Sequence, residues 1–599
     1  MMRTLARLGR MSPEEIRVRA GQALAKRFGR PPAFRPRRYD GPAPVFFELP
    51  AGPPAGLIEQ AENICRHRFD LLGYQGLDYG AEIDWHFDPV HNKRAPRIPW
   101  YRIPFLDFDQ VGDHKIIWEL NRHQHLVTLA EAWHFTREER FAAELQAQWR
   151  AWRRENPYPT GINWASTLEV AFRALSWLWV RALVGDGEFR QEVLAGLAEH
   201  AWFIERFLST YFSPNTHLLG EGVALFSIGV LCPEIAAAGR WRERGWQIVL
   251  RQAETQVRAD GMHFEQSVYY HVYALDFFEH ARKLAELNGV AVPAAFAGVV
   301  EKMRAALASI SQAGPPPQFG DDDGGHVLLS GRGGEQARGR AGESIALRDS
   351  GIYAMSSPGA QLFIDAGPQG ALSGGHGHAD ALSIQLAMEG RAVLIDPGTY
   401  CYVCPERDRF RGTAAHNTLQ VDGRDQAQPA GPFAWTAMPT TTVDLWRSAE
   451  GFDLFAGHHD GYAPVMHQRW VFGRKGNFWL VRDVVTGPGH HRLDLHWHFR
   501  DERDITIKPP DGHNWTRTIE RFDWSPVYGR LERAYVLRFS TEGALPAEFA
   551  VLLVVGEAGT FTQLGPAQYR YEEPGGSAHE FDFGKGFTYR GGANIEVAP

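Results

Sequence analysis

The sequence predicts a multidomain α+β protein, a helical domain followed by an antiparallel β-sandwich-like domain. Three observations carry this. From about residue 56 to 315, long amphipathic stretches alternate with short breakers. Gly314-Pro315-Pro316-Pro317 ends that pattern. After about residue 345 the hydrophobic period changes to two, in short β-rich runs. A chain of 599 residues accommodates two or more domains. The expected spans are 1–55 for an N-terminal helix and connector, 56–340 for the helical domain and 345–599 for the β domain.

Taken in order, Ser12-Pro13-Glu14-Glu15 starts a helix, with Ser12 as N-cap, Pro13 at the first helical position and Glu15 closing a capping box. Ile16, Ala20, Leu24 and Phe28 recur every four residues, and Gly29 with Pro31 stops the helix. Its basic face (Arg17, Arg19, Lys26, Arg27) has the charge to touch anionic lipid or polymer, but the expectation is a solvated face on a helix docked to the main body. Residues 31–55, rich in Pro, Gly and Arg, read as an irregular connector. Helical stretches follow at Ile117–Arg153, Trp164–Val184, Arg190–Phe212, Trp241–Val257 and Val272–Leu287, and the short turns between them imply antiparallel hairpins. Strands are expected at Gly351–Ser357, Ala360–Ala366, Leu382–Met388, Ala392–Ile395, Asn417–Val421, Thr440–Leu445, His467–Phe472, Phe478–Val485, Arg492–Phe499 and Phe549–Val555. A cleft between the two halves is the natural place for a site.

Composition narrows the function. Hydrophobic residues are 44% and charged residues 22%, a soluble globular balance that excludes a wholly disordered chain. With 63 basic and 71 acidic residues the net charge is −8, so no global footprint for nucleic acid exists. Nucleotide chemistry is also disfavoured, because no phosphate-loop or dinucleotide fingerprint occurs. The 19 Trp, 18 Tyr and 25 His lean toward sugar faces and acid–base work. Four cysteines exclude a disulfide scaffold, and the single C-x-x-C of Cys401 and Cys404 reads as chance spacing. No apolar run spans a bilayer and no export signal is visible; the expected location is cytoplasmic, with a periplasmic or secreted location by a non-standard route as the alternative.

Several constellations carry chemistry. Asn215 and His217 precede an apolar helix, whose N-terminus favours anions; a plain N-cap with a surface His is the equal alternative. Asp260 to His271 crowds His263, Glu265, Tyr269, Tyr270 and His271 into one segment, where one of the two tyrosines would be a packed aromatic. In Gly374-Gly375-His376-Gly377-His378, glycines let a ligand approach two histidines closely. His378, Asp396 and His416 form a two-His, one-carboxylate set suited to zinc or another divalent transition metal. Arg407, Arg409 and Arg411 offer local positive charge for carboxylate or sulfate, or a solvated charged segment. Gly320-Asp321-Asp322-Asp323-Gly324 lacks calcium-loop spacing and reads as a turn closing the helical domain.

With these motifs in order over roughly residues 110–500, the chain resembles the heparinase II/III family of polysaccharide lyases. The likeness rests on Asn163-Trp164 with Glu169 and Arg173, Asn215-Thr216-His217, Glu265-Gln266-Ser267 through Tyr270-His271, Gly375 to Asp380, Asp396-Pro397-Gly398 and Ala415-His416-Asn417. It implies an incomplete (α/α) toroid and a C-terminal antiparallel β domain. It also implies β-elimination on uronate-containing polysaccharides such as heparan sulfate, hyaluronan, chondroitin or alginate. By the same resemblance Asn215 or His217 neutralises the uronate carboxylate, and Tyr270 and His376 move protons. His378, Asp396 and His416 hold a structural divalent ion, zinc or manganese. Asn163, Trp164, Arg173, Glu265, Tyr400 and Arg411 are the expected substrate contacts, with Tyr402 as an alternative to Tyr400. Thr216 stands where many relatives carry a second Asn, which leaves the neutralising group open between Asn215 and His217.

Elimination removes the C5 proton of a uronate and breaks the bond to O4, so it needs a base, an acid and donors for the enolate; one such donor contributes about 3–4 kcal/mol. Bringing a tyrosine from a pKa near 10 to about 7 would take roughly 4 kcal/mol. Two rivals remain. A glycoside hydrolase on the same toroid would draw its two carboxyls from Glu169, Glu221 and Glu265. A non-catalytic polysaccharide-binding protein of exopolysaccharide assembly would use the groove alone. The polymer, endo or exo action and the oligomeric state stay open.

Overall fold

The computed structural model describes residues 11–49, 51–185, 187–327, 342–501, 504–591 and 594–597. The expected domain limit at 340 lies outside these residues. Helix α1 (Pro13–Phe28) has the expected cap, with the Glu15 amide donating to Ser12 Oγ at 3.1 Å. Beyond it come α2 (Leu57–Cys65), α3 (His114–Asn121), α4 (Gln124–Thr136), α5 (Glu139–Glu155), α6 (Thr167–Leu183), α7 (Glu188–Phe207), α8 (Thr216–Leu231), α9 (Ala238–Gln256), α10 (Val268–Leu287) and α11 (Ala294–Ser309). The stretch read as one run over Ile117–Arg153 is three helices, because His123 and Arg137 adopt left-handed backbone at φ 61° and 59° and turn the chain.

Helix α8 explains the packing. Every residue of it is buried except His217, which is half-buried, as an apolar helix without a polar stripe requires. It crosses α9 closely because glycines meet there: a Cβ on Gly245 would fall 2.5 Å from the Gly222 carbonyl oxygen. Around this pair α6, α7, α10 and α11 share one core with Trp152, Trp164 and Trp177.

The C-terminal half is antiparallel throughout its named sheets. A nine-stranded sheet runs Thr516–Trp524, Glu532–Ala544, His490–Phe499, Arg391–Leu394, Ile384–Met388, Ala360–Asp365, Ile352–Ser357, Ile345–Leu347, with Leu419–Val421 also paired to His490–Phe499. In register, Leu419 faces Leu495 and Phe499 faces Leu394. A six-stranded sheet built on Phe452–Tyr462, Val465–Arg474, Phe478–Thr486 and Ala547–Val554 packs on it through a common core that includes Leu386, Phe455, Val481, Leu495 and Val551. A five-stranded sheet over residues 560–597 covers the other face of the six-stranded one.

The domains share a core. Met262, Val268 and Ile310 from the helical side meet Ile352, Phe363 and Ala387 of the sheet, and Phe319 of the connector lies among them. That connector brings Asp321 between the start of α10 and the loop carrying His376.

Candidate active site at the domain junction

Two elements aim Tyr270 and His376 at each other. Ser267 caps α10, accepting from the Tyr270 amide at 3.1 Å, and its hydroxyl donates to the Asp321 carbonyl at 2.6 Å. The Asp321 amide in turn donates to the His376 carbonyl at 2.8 Å. Gly320 makes this passage possible: its φ is +70°, and a Cβ there would lie 2.6 Å from the His376 carbonyl oxygen. The Tyr270 and His376 rings stack at 3.8 Å between centroids, 22° apart. A sugar therefore meets their shared edge and cannot lie between the rings. The Tyr270 hydroxyl bonds that of Tyr402 at 2.9 Å.

Asp321 is the hub. Its carboxylate accepts from His376 Nδ1 at 3.1 Å, His378 Nε2 at 3.0 Å, Thr399 Oγ1 at 3.2 Å, and both terminal nitrogens of Arg407 at 2.5 and 2.7 Å. Burial alone would raise its pKa, but Arg407 and the histidine donors hold it well below the usual carboxylate range. The reading of Asp321–Asp323 as a mere turn is thus corrected. All three are at least largely enclosed, and Asp323 pairs with Lys115 at 3.0 Å. The cue in the sequence was a triple Asp between glycines just where the domains join.

Electrostatics sort the proton-carrying groups. Burial disfavours charge on His376, but the hydrogen bond it donates to Asp321 and the nearby Glu265 carboxylate outweigh it and raise its pKa. Burial, with Asp323 nearby, pushes the Tyr270 phenol well above 10, the reverse of what a resting phenolate needs. His217 is lowered to about 4 by burial and by the charge on His376, so it is a neutral imidazole at neutral pH. Asn215 caps α8 through Oδ1, which accepts from the His217 amide, and gives one Nδ2 hydrogen to Glu265 at 2.6 Å. The amide keeps a second N–H.

The other expected substrate contacts separate. Glu265 accepts from Asn215, from the Thr216 amide and from Thr216 Oγ1, so it ties the start of α8 in place. Asn163, Trp164 and Arg173 are enclosed in the helical core, Arg173 donating to the Asn121 and Asn163 carbonyls. The structure does not bring them to the junction. Arg411 is likewise consumed, donating to the Gly431 and Pro432 carbonyls and pairing with Asp408. Tyr402, not Tyr400, reaches Tyr270; Tyr400 packs on Phe410. The Tyr402 amide donates to Tyr528, whose hydroxyl donates to Asp113 at 2.7 Å. Cys401 and Cys404, taken as chance spacing, are a buried disulfide on either side of Tyr402. Beneath the site, Arg122 grips Glu169 through two hydrogen bonds at 2.7 and 2.8 Å and reaches Tyr273, a network sequence patterning gave no hint of. With Glu169 bound there, Glu221 on Ser209 and Glu265 on Thr216, the three carboxyls a hydrolase would use are all framework groups.

A group of residues that could hold a cation adjoins Asp321. His416 Nδ1 lies 2.8 Å from the Gly412 carbonyl and His378 Nε2 binds Asp321, so both rings turn their remaining nitrogens toward each other, 3.2 Å apart. Two neutral imidazoles whose outer N–H groups are so anchored present lone pairs to a shared point, the arrangement metal-binding histidines use. One carboxylate oxygen of Asp380 joins them within 4.8 Å, and its Oδ2 is buried without a hydrogen-bond partner. Asp396 stands one step back, 3.7 Å from His416 Nε2, its oxygens accepting from the Gly398 amide and Gln385. The donor set that could hold a divalent cation is His378, His416 and Asp380; Asp396, expected as the carboxylate ligand, lies outside it.

Comparison with known proteins shows the family and the fold. The family model described as heparinase II/III N-terminus matches residues 57–324, and that described as heparinase II/III-like, C-terminal, matches 339–545. A heparin-sulfate lyase of Pedobacter heparinus is 26% identical over 488 residues, which are 74% of this chain and 68% of that protein. The crystal structure of heparinase III superposes with a TM-score of 0.71 at 17% identity, covering 97% of this chain and 95% of that one. A Streptomyces coelicolor chondroitin AC lyase solved with chondroitin sulphate gives 0.56 at 12% identity, covering 96% and 92%. These likenesses fix the fold as a helical toroid followed by an antiparallel β domain.

Proposed function

The chain belongs to the heparinase II/III family, and from that premise we propose that it is a glycosaminoglycan lyase that cleaves by β-elimination at the junction of its two domains. The observation that supports the reading best is the pairing of a phenol from α10 with an imidazole from the β domain, stacked at 3.8 Å and both anchored to Asp321's segment.

In this mechanism the uronate carboxylate lies against the His376 imidazolium and the free N–H of Asn215. As the C5–H bond breaks, its electron pair moves into the carboxylate system and these donors stabilise the enolate. The proton goes to His217, the neutral imidazole. A bound carboxylate raises the affinity of His217 for that proton, because it opposes the His376 charge that depresses it. Collapse of the enolate forms the C4–C5 double bond and breaks C4–O4, and Tyr270, held as a phenol, gives its proton to O4. Tyr402 holds the Tyr270 hydroxyl in line. A divalent ion such as zinc or manganese would be held by His378, His416 and Asp380 with Asp396 behind. Bound there, it would supply fixed positive charge beside buried carboxylates and tie together the loops that carry the site.

The test is ultraviolet absorbance of the unsaturated uronate on heparan sulfate, hyaluronan, chondroitin and alginate, with wild type and His217→Gln. New absorbance on a glycosaminoglycan, lost in the variant, supports the reading. Chain cleavage without new absorbance would mean hydrolysis, and binding without cleavage a non-catalytic role.

A further inference from the structure

Helix α1 sits the wrong way round for a helix docked through its apolar face. Its half-buried side carries Glu15, Val18, Arg19, Gln22, Ala25 and Lys26. Arg19 donates to the Tyr211 carbonyl at 2.8 Å, Gln22 to that of Leu208 at 3.0 Å, and the Lys26 ammonium lies 5.1 Å above the Trp100 ring. The stripe of Ile16, Ala20, Leu24 and Phe28 faces outward instead, and no residue of the helix is buried. Leu24 is 62% exposed and Phe28 75%. Phe212, next to the residue whose carbonyl holds Arg19, is 80% exposed.

We propose that this helix is a docking surface for an anionic lipid bilayer, lying flat in the headgroup layer with Leu24 and Phe28 inserted. Charge selects the occupant. Between Pro13 and Arg38 eight basic residues stand against two acidic ones, in a chain whose net charge is −8. Arg17 and Arg27 flank the apolar stripe, and Arg30, Arg35 and Arg38 continue the exposed positive surface. An outward apolar stripe bordered by arginines matches an interfacial helix, whose binding adds apolar insertion to attraction for anionic headgroups. A polyanionic polysaccharide would use the arginines and leave the stripe uncovered. A second copy of the chain would bring two like-charged helices face to face. No described helix is long and apolar enough to cross a membrane, so the association is peripheral.

The test is co-sedimentation of the full chain with vesicles of phosphatidylcholine alone and of phosphatidylcholine with phosphatidylglycerol. The proposal expects binding to the anionic vesicles only, weakened by salt. Leu24→Glu/Phe28→Glu should lower the affinity at least tenfold and Arg17→Glu/Arg27→Glu by a comparable factor. Melting temperature should be unchanged, since these side chains are exposed. Equal binding to neutral vesicles, no binding to either, or unchanged binding by the Leu24/Phe28 variant overturns it. So does a concentration-dependent dimer that the same variant abolishes, or retention by heparin without retention by vesicles. None of these readouts depends on lyase activity.

Discussion

At the scale of single residues the account turns on which groups carry protons. Tyr270→Phe removes the donor to O4, and His376→Ala removes the charge that meets the enolate; each should lower kcat about 10²–10⁴-fold in the absorbance assay, and a rate within tenfold of wild type would remove that assignment. The pH profile follows from the shifts. His217, lowered to about 4, stays unprotonated down to that range, so activity should persist well below the ordinary histidine value of about 6.5. His376 is raised, so its charge is lost only as pH climbs through a value above the ordinary one of about 6.5. A plateau from about pH 5 to beyond the ordinary histidine value of about 6.5 is expected, and a rise in activity centred on pH 6.5 would contradict it. Tyr270, His217 and His376 were legible as candidates because chemistry-bearing residues cluster around them in sequence, but their roles were not: the resemblance gave the second proton transfer to His376 and the carboxylate to Asn215 or His217, and the proposal exchanges the two histidines. Asp321 was not, since its partners come from residues 376–407 and only folding brings them to it. Asn163 and Arg173 misled for the opposite reason: a motif binds the fold together as readily as it binds a ligand, and sequence spacing does not separate the two.

Among elements, the connector that carries Asp321 matters most. Asp321→Asn keeps the shape but leaves the buried Arg407 guanidinium without its anionic partner, which costs about 3–5 kcal/mol. The expected result is a lower melting temperature together with a pH profile whose alkaline limb moves down, because His376 loses the partner that raises its pKa. A melting loss with an unmoved profile would make Asp321 purely structural. The stability this pair adds is present above the ordinary carboxylate pKa near 3.9 and is lost as pH falls below it, since the folded-state value is depressed. The helices and strands that were expected mostly fall within a few residues of those observed, because hydrophobic period is set by local geometry, but the strands Phe452–Tyr462, Thr516–Trp524 and Glu532–Ala544 and the sheet over residues 560–597 were not among them. Two further things were not legible: the break of the first long helical stretch at His123 and Arg137, where ordinary residues take left-handed backbone, and the outward face of α1, whose orientation depends on what Leu208 and Tyr211 offer it.

For the whole molecule, the two-domain order was plain from the change of period near residue 345, and the junction as the place of the site followed from it. The cation site depends on the same meeting of segments. His416→Ala, or a strong chelator added to wild type, should lower the melting temperature by several degrees, and wild type should carry about one divalent ion per chain by elemental analysis. A metal-free preparation with an unchanged melting curve would refute this. The central claim is that an eliminating acid and base, Tyr270 and His217 of the helical toroid, become competent only where His376 of the sheet domain meets them. Its most direct test is the ultraviolet spectrum of heparan sulfate incubated with wild type and with Tyr270→Phe. The account predicts growing absorbance from a C4–C5 unsaturated uronate with wild type and at least a hundredfold slower growth with the variant. Equal growth in both, or polymer shortening without that absorbance, would contradict it.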